Sequence, residues 1–409
     1  MSIPPLRIFA DDLHDEFGRW PLAYTSAGGP ELAEVVSIAS EVGDGDDRDF
    51  AWAFAVRGDA LVASAEAAHV AGHQATAAAQ FVRAAALFGA ALHPLYGDPV
   101  DPLLLDIAAR QERALDRGLA LRQHPAIPLV IPCDGNELPG YLIPAEGHTA
   151  EPSRPVIIFV NGYDATMTDV YFASAVAATR RGYHAVIFDG PGQGSVLYRQ
   201  GIPMRPDWEV VVSAVIDTVL QCSLVDPRRI AVSGWSLGGY LAPRAASGDS
   251  RIAACIADPG QWDLGRSVRG FALAMGATPQ QAADLTQLDD AFLANMWEFI
   301  QQNRRLRWSV VQRGFWVNGV RDLREFLAVT QQFTLVDRAA QIQCPTLLTL
   351  AENDPLAEST QEFYEALRCP KTLLRFTAAD SAADHCEMGN RSLLNTRVLD
   401  WLDDTFAAS

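Results

Sequence analysis

The chain has 409 residues, 49 % of them apolar, which is enough for a sizeable core arranged as two units or as one unit with large insertions. Fifty carboxylates against 32 Lys and Arg give a net charge of −18, which repels phosphate backbones and anionic membranes and argues against a nucleic-acid partner. No uninterrupted apolar stretch reaches the ~18 residues of a bilayer span, and the opening Met1-Ser2-Ile3-Pro4-Pro5 has no basic region followed by an apolar core, so neither a membrane helix nor a secretory signal is expected.

Residues 10–125 read as helical. Residues 60–91 are almost continuous in alanine, the best helix former, with Phe81, Val82, Leu87 and Phe88 at helical spacing. The pattern returns over 103–121, after a break at 92–99 that contains Pro94, Gly97 and Pro99. At Pro125 the texture changes. Residues 129–133 and 140–143, around Asp134-Gly135-Asn136, predict a β-hairpin. Short apolar runs follow at 156–160, 185–188, 230–232, 252–257, 346–350 and 372–376, as expected for parallel strands buried on both faces. Helical patterns at 170–181, 207–222, 237–247, 358–368 and 391–405 alternate with them, which predicts an α/β architecture with a mostly parallel, doubly wound sheet. Between the runs at 252–257 and 346–350 the chain is far longer than one crossover requires. Helical stretches at 279–301, 303–317 and 320–334 make that segment an inserted lid. The reading is an N-terminal helical (cap) region over 1–125, a core over 126–260 and 341–409, and a helical lid insertion over 261–340.

Gly234-Trp235-Ser236-Leu237-Gly238 is a G-x-S-x-G sequence between an apolar strand and a helical run, the context in which it forms a nucleophile elbow. The serine must occupy a turn so tight that neighbouring side chains clash, and glycines at 234 and 238 remove those clashes. A neutral serine needs a base, and in folds with this turn the partners follow as serine, acid, histidine. Of eight histidines only His385 lies beyond Ser236, after the last expected strand. Asp354, after the run at 346–350, is the expected acid, fixing the imidazole tautomer and stabilising the imidazolium. Glu352 stands close by, and Asp258, after the run at 252–257, is a second candidate. An oxyanion hole needs two backbone N–H groups: one from Leu237, the other from Asn161-Gly162-Tyr163-Asp164, with Tyr163 first choice and Asp164 second. Asp164, Trp235 and Asp258 are also expected to line the pocket.

Other signals carry less. His69 and His73 stand i, i+4 on a helix but lack an H-E-x-x-H pattern and a third ligand, so no metal is expected. The six cysteines, at 133, 222, 255, 344, 369 and 386, form no C-x-x-C and read as reduced thiols of a cytoplasmic protein. Gly190-Pro191-Gly192-Gln193-Gly194 lacks the full dinucleotide fingerprint and reads as a glycine-rich strand end. In the lid, Arg304, Arg305, Arg307, Arg313, Arg321 and Arg324 form a basic patch, either a solvated helix face or a lure for an anionic or phenolate-bearing substrate. Trp297, Trp308 and Trp316, with Phe315, either wall a substrate pocket or form the lid's own core.

Taken together, Phe188-Asp189-Gly190-Pro191-Gly192-Gln193-Gly194, Gly234-Trp235-Ser236-Leu237-Gly238-Gly239 and Asp384-His385-Cys386 resemble the FrsA-like α/β-hydrolases, over roughly residues 125–405. The chain departs from that pattern after His385, where Glu387-Met388-Gly389 stands. The resemblance implies the α/β-hydrolase fold, a helical N-terminal region, a lid over a buried pocket and a Ser-Asp-His triad at Ser236, Asp354 and His385. It implies cleavage of a carbon–carbon bond beside a carbonyl in an aromatic or polyketide-like ketone, as in fungal hydrolases that shorten polyketides. Ester or thioester hydrolysis, acyl transfer or cyclisation on a small acyl substrate is the alternative, and a catalytically dead binding module the alternative of another class. The expected partner is a small-molecule substrate, with no cofactor; a homodimer is left open.

Overall fold

A computed structural model describes residues 6–149 and 151–407; the opening residues 1–5 read above for a signal lie outside them. At its centre is one eight-stranded sheet. Strands β1 (Ile127–Cys133) and β2 (Asn136–Ile143) form the expected hairpin. Its two-residue turn has φ of 48° at Asp134 and 78° at Gly135, the left-handed pair that matches strand twist. The other strands are β3 (Arg154–Val160), β4 (His184–Phe188), β5 (Val225–Trp235), β6 (Ile252–Asp258), β7 (Thr346–Ala351) and β8 (Lys371–Phe376). Their order is β1-β2-β4-β3-β5-β6-β7-β8; β2 runs antiparallel to both neighbours and β3 to β8 are parallel. This is the α/β-hydrolase fold. All five residues of β4 are buried, as are the last five of β3, because helices cover both faces.

Register decides where chemistry is possible. The chain runs outward from β3 to β4, then returns to place β5 on the other flank of β3, so a crevice opens at the strands' carboxyl ends. There Val160 pairs with Gly234, and Trp235 pairs with Asp258. The loops leaving β3, β5 and β6 therefore start side by side.

Five helices precede the sheet: α1 (Asp12–Arg19), α2 (Leu32–Val42), α3 (Asp47–Val70), α4 (Gln74–Leu92) and α5 (Pro102–Ala120). The alanine-rich run expected as nearly one helix is a helical hairpin instead. Gly72, at φ +83°, turns the chain back so that α4 packs between α3 and α5. Gly58 makes the approach possible, since a Cβ there would lie 2.6 Å from the Phe88 ring. One segment among the described residues, Gln74–Leu95, is long and apolar enough by composition to cross a bilayer, although Gln80 and Arg83 interrupt it; in the fold 67 % of its most apolar 18-residue window is buried.

Between β6 and β7 lie the helices Gly265–Ala274, Asp290–Gln302 and Leu323–Thr330. A π-helix, Arg307–Phe315, stands among them, continuing into Trp316–Asn318. These elements have a small core of their own around Leu285, Leu288, Met296, Ile300 and Leu327. Four of the six arginines of the basic patch are paired: Arg304 with Asp11 and Asp47, Arg305 with Glu16, Arg324 with Asp290 and Arg313 with Asp164. Three of those contacts tie the lid to the N-terminal helices.

Candidate active site

Ser236 sits between β5 and the helix Gly238–Ala246 with φ +57°, a left-handed conformation that costs a serine energy and is held by its surroundings. Three glycines make the turn possible. A Cβ at Gly234 would lie 1.8 Å from the Gly238 oxygen, one at Gly238 2.4 Å from the Val160 oxygen, and one at Gly239 1.9 Å from the Pro259 oxygen. The Ser236 amide donates to the Asp258 carbonyl (2.7 Å), while the Ser236 carbonyl accepts from the Gly239 amide (2.8 Å) and Gln261 Nε2 (2.7 Å).

Ser236 Oγ and His385 Nε2 are 2.9 Å apart, and His385 Nδ1 is 2.8 Å from Asp354 Oδ2. The Asp354 side chain has no solvent exposure, and its other oxygen accepts from the Leu356 amide (2.9 Å). The loops carrying acid and base are joined directly, the Asn353 amide donating to the Ala383 carbonyl (2.8 Å). Burial disfavours a charged His385, but the hydrogen bond and charge of Asp354, aided by Asp258 and Asp164, outweigh it and hold the imidazole above its ordinary pKa. Glu352 points elsewhere, accepting from the Ala378 amide (2.9 Å).

Asp258, the other candidate acid, is engaged differently. Its oxygens accept from Thr349 Oγ1 (2.9 Å) and Arg391 Nη1 (2.7 Å). Arg391 also donates to the Cys386 carbonyl (2.7 Å) and Ser174 Oγ (2.8 Å), and its side chain is 3 % exposed. This buried pair braces the histidine loop from below, where Cys386 and Glu387 have φ of 54° and 49°. Glu387 is fully buried beside Asp258. Burial first, then the negative charge of Asp258, raises its pKa and favours the neutral acid.

The loop after β3 runs against the serine: a Cβ on Gly162 would lie 2.7 Å from Ser236 Cβ. Among the described residues, neither the Tyr163 nor the Leu237 amide has an intramolecular acceptor, so both are available to an oxyanion. The run Gly190 to Gly194, read as a plain strand end, holds this loop. Gln193 Nε2 donates to the Asn161 and Gly162 carbonyls (3.0 Å each), and its Oε1 accepts from the Gly190 amide. Asp189 accepts from Asn161 Nδ2 (3.1 Å) and the Met167 amide (2.7 Å), and burial pushes its pKa up to about 8. A side chain at Gly194 would collide with that carboxyl, its Cβ 2.0 Å from Oδ2.

A cavity of about 200 Å³ opens on Ser236, lined by Tyr163, Leu237, Gln261, Arg313, Asn318 and Phe326, among others. A larger space, about 740 Å³, lies towards the N-terminal helices and is walled by Trp20, Trp235, His385 and Met388. Trp235 is thus on the second space, and Asp164 is held by Arg313. Of the two readings offered for Trp297, Trp308 and Trp316, a pocket wall or the lid's own core, the first does not hold for the Ser236 cavity, which none of them lines. Trp297 is 37 % exposed and stacks on Phe315. Trp308 is buried and donates Nε1 to the His93 carbonyl (2.8 Å), and Trp316 packs between Tyr96 and Tyr198. The rings of Trp308 and Trp316 are drawn into the seam between lid and N-terminal helices, while Trp297 stays on the lid.

Residues 157–391 match the Alpha/beta hydrolase family. The chain is 31 % identical over 396 residues to Hydrolase LUC6 of Fusarium sp, covering 92 % of this chain and 93 % of that one. It is 32 % identical over 416 residues to 20-hydroxy-prefusarin hydrolase FUS2 of Gibberella moniliformis (strain M3125 / FGSC 7600), covering 98 % of each. In fold it is similar to the crystal structure of 2,6-dihydroxy-pseudo-oxynicotine hydrolase, with a TM-score of 0.71 at 22 % identity over 95 % of this chain and 96 % of that one. It is also similar to wild-type AbyA5, with a TM-score of 0.62 at 15 % identity over 97 % and 99 % of the two chains.

Proposed function

The chain belongs to the Alpha/beta hydrolase family, and from that premise we propose that it is a serine hydrolase cleaving a carbon–carbon bond beside a carbonyl in a small aromatic or polyketide-like ketone. The observation that carries this reading is the continuous chain Ser236 Oγ, His385, Asp354, with contacts of 2.9 Å and 2.8 Å.

In the proposed cycle His385 takes the Ser236 proton as Oγ attacks the ketone carbon. The oxyanion is held by the Leu237 and Tyr163 amides. The carbon–carbon bond then breaks, its electron pair leaving on the departing carbon, delocalised as an enolate or into an electron-rich ring. His385 returns the proton to that carbon. Water, activated by His385, hydrolyses the acyl-enzyme to a carboxylic acid and free Ser236. The balance requires one water and no other reactant.

The choice of a ketone rests on the resemblance of the motifs around Asp189, Ser236 and His385 to the FrsA-like α/β-hydrolases, and similarity to 20-hydroxy-prefusarin hydrolase supports hydrolase action on a small molecule. Ester or thioester cleavage, or acyl transfer, uses the same groups with a heteroatom as leaving group. A dead binding module is disfavoured by an intact Ser236–His385 hydrogen bond. The test is a substrate panel. Turnover of acyl-phenols and β-diketones, lost in S236A, supports the proposal; rapid turnover of short acyl esters with those ketones untouched defeats the carbon–carbon reading. Fluorophosphonate labelling that persists in S236A defeats Ser236 as the nucleophile.

A further inference from the structure

The loop that carries the Tyr163 amide is held from three sides. From the core, Gln193 grips its first two carbonyls. From the N-terminal helices, Tyr96 donates its hydroxyl to the Asp164 carbonyl (2.9 Å). From the lid, Arg313 Nη1 donates to both oxygens of Asp164 (3.0 and 2.8 Å), and its guanidinium lies 4.6 Å from the Tyr163 ring centre and 5.1 Å from that of Trp308. Also from the lid, Asn318 Nδ2 donates to the Tyr163 hydroxyl and to the Gly314 carbonyl. Arg313 and Asn318 both line the Ser236 cavity, and the segment bearing them begins in the π-helix Arg307–Phe315. A π-helix spaces its side chains differently from an α-helix and recurs at functional sites. Here the lid grips Tyr163 and Asp164 through one guanidinium nitrogen shared between two carboxylate oxygens, through the guanidinium plane over the Tyr163 ring, and through an amide.

The geometry points to Arg313 and Asn318 as positioning residues that set the register of the Tyr163 amide, so that the oxyanion hole is complete only when the lid is seated. This rests on the serine-hydrolase reading above. Residues 163 and 164 lie beyond the end of β3, and the Tyr163 amide makes no hydrogen bond among the described residues that would hold it. Freed of Arg313 and Asn318, the loop retains Gln193 at 161–162 and Tyr96 at 164, and the Tyr163 side chain between them keeps its apolar packing but loses its hydrogen bond and its guanidinium contact. A lifted lid therefore exposes the serine while relaxing one of its two oxyanion donors, and chemistry waits on closure.

The experiment compares R313Q, R313K, D164N and R313Q/D164N on p-nitrophenyl acetate, too small to need the outer pocket, and on inactivation by a fluorophosphonate, whose phosphoryl oxygen takes the oxyanion position. Labelling of the parent enzyme and its loss in S236A verify the underlying reading separately. R313Q is expected to lower kcat by about 10–100-fold, less than complete loss of a donor, with KM within about threefold and inactivation slowed in parallel. R313K, keeping the charge without the planar guanidinium over the Tyr163 and Trp308 rings, should recover only part. The double variant should fall no further than the worse single one, because both remove one contact. Unchanged kcat and inactivation in R313Q, or full additivity in the double variant, overturns the proposal. If R313Q does not fold, Y163F decides: it removes the hydroxyl that Asn318 holds and leaves the amide. A drop in kcat of several-fold or more supports the inference, and an unchanged kcat overturns it.

Discussion

Replacing Asp354 by Asn tests the acid directly. The substitution is nearly isosteric and keeps an oxygen able to accept from the Leu356 amide, so the loop after β7 is retained. What changes is the partner of His385 Nδ1, now 2.8 Å from a carboxylate oxygen. An amide N–H there requires Nδ1 to accept, which moves the ring proton to Nε2 and turns the group facing Ser236 from a base into a donor. By the precedent of other triads the loss in kcat is about 10⁴-fold, or about 5 kcal/mol of transition-state stabilisation. The pH profile should change in sign-defined fashion. The base acts neutral, so kcat/KM of the parent enzyme rises as pH climbs through the His385 pKa, which Asp354 holds above its ordinary value. Without that carboxylate, burial is left less opposed, and the rising limb should move to lower pH while its plateau falls. Rates on an ester or ketone substrate from pH 5 to 9, with circular dichroism to verify the fold, check this. If D354N keeps more than a tenth of the parental kcat, or if D258N is the more damaging variant, Asp354 is not the acid.

Two further outcomes follow from the packing around the site. R391L should destabilise the protein by about 3–5 kcal/mol in denaturant unfolding, because it leaves Asp258 charged and buried, and R391L/D258L should recover much of that loss; a shift below 1 kcal/mol in R391L would show the pair to be dispensable. G239A must displace backbone, since its Cβ would lie 1.9 Å from the Pro259 oxygen. It should abolish turnover and lower the thermal midpoint by several degrees, and a soluble, fully active G239A would refute the close approach.

The strands were legible because parallel strands covered on both faces must be apolar throughout, and runs such as 156–160 and 230–232 have no other simple reading. Ser236 was legible because the elbow's steric demand writes glycines at fixed offsets. His385 was found because every other histidine precedes the serine. The α3–α4 turn was missed since alanine masks a break, and Gly72 was the only mark of it. The lid tryptophans were misplaced because composition does not say which side of an insertion faces the cavity. Gln193 and Asp189 were in view within a quoted motif, but their side chains act on a loop that precedes them by 22 to 32 positions, which spacing cannot reveal. Arg391 had no local signature, because a buried guanidinium is defined by the carboxylate it meets, 133 positions away.

The seam between lid and N-terminal helices bears on how such an enzyme can be re-engineered. Arg304 and Arg305 reach Asp11, Asp47 and Glu16, while Trp308 inserts against Phe17 and donates to the His93 carbonyl. A lid grafted from a relative would meet carboxylates and rings fitted to a different surface. The two segments, the first ending at Ala120 and the second opening at Gly265, form one exchangeable cassette: chimeras that swap both together should retain the fold better than those that swap either alone.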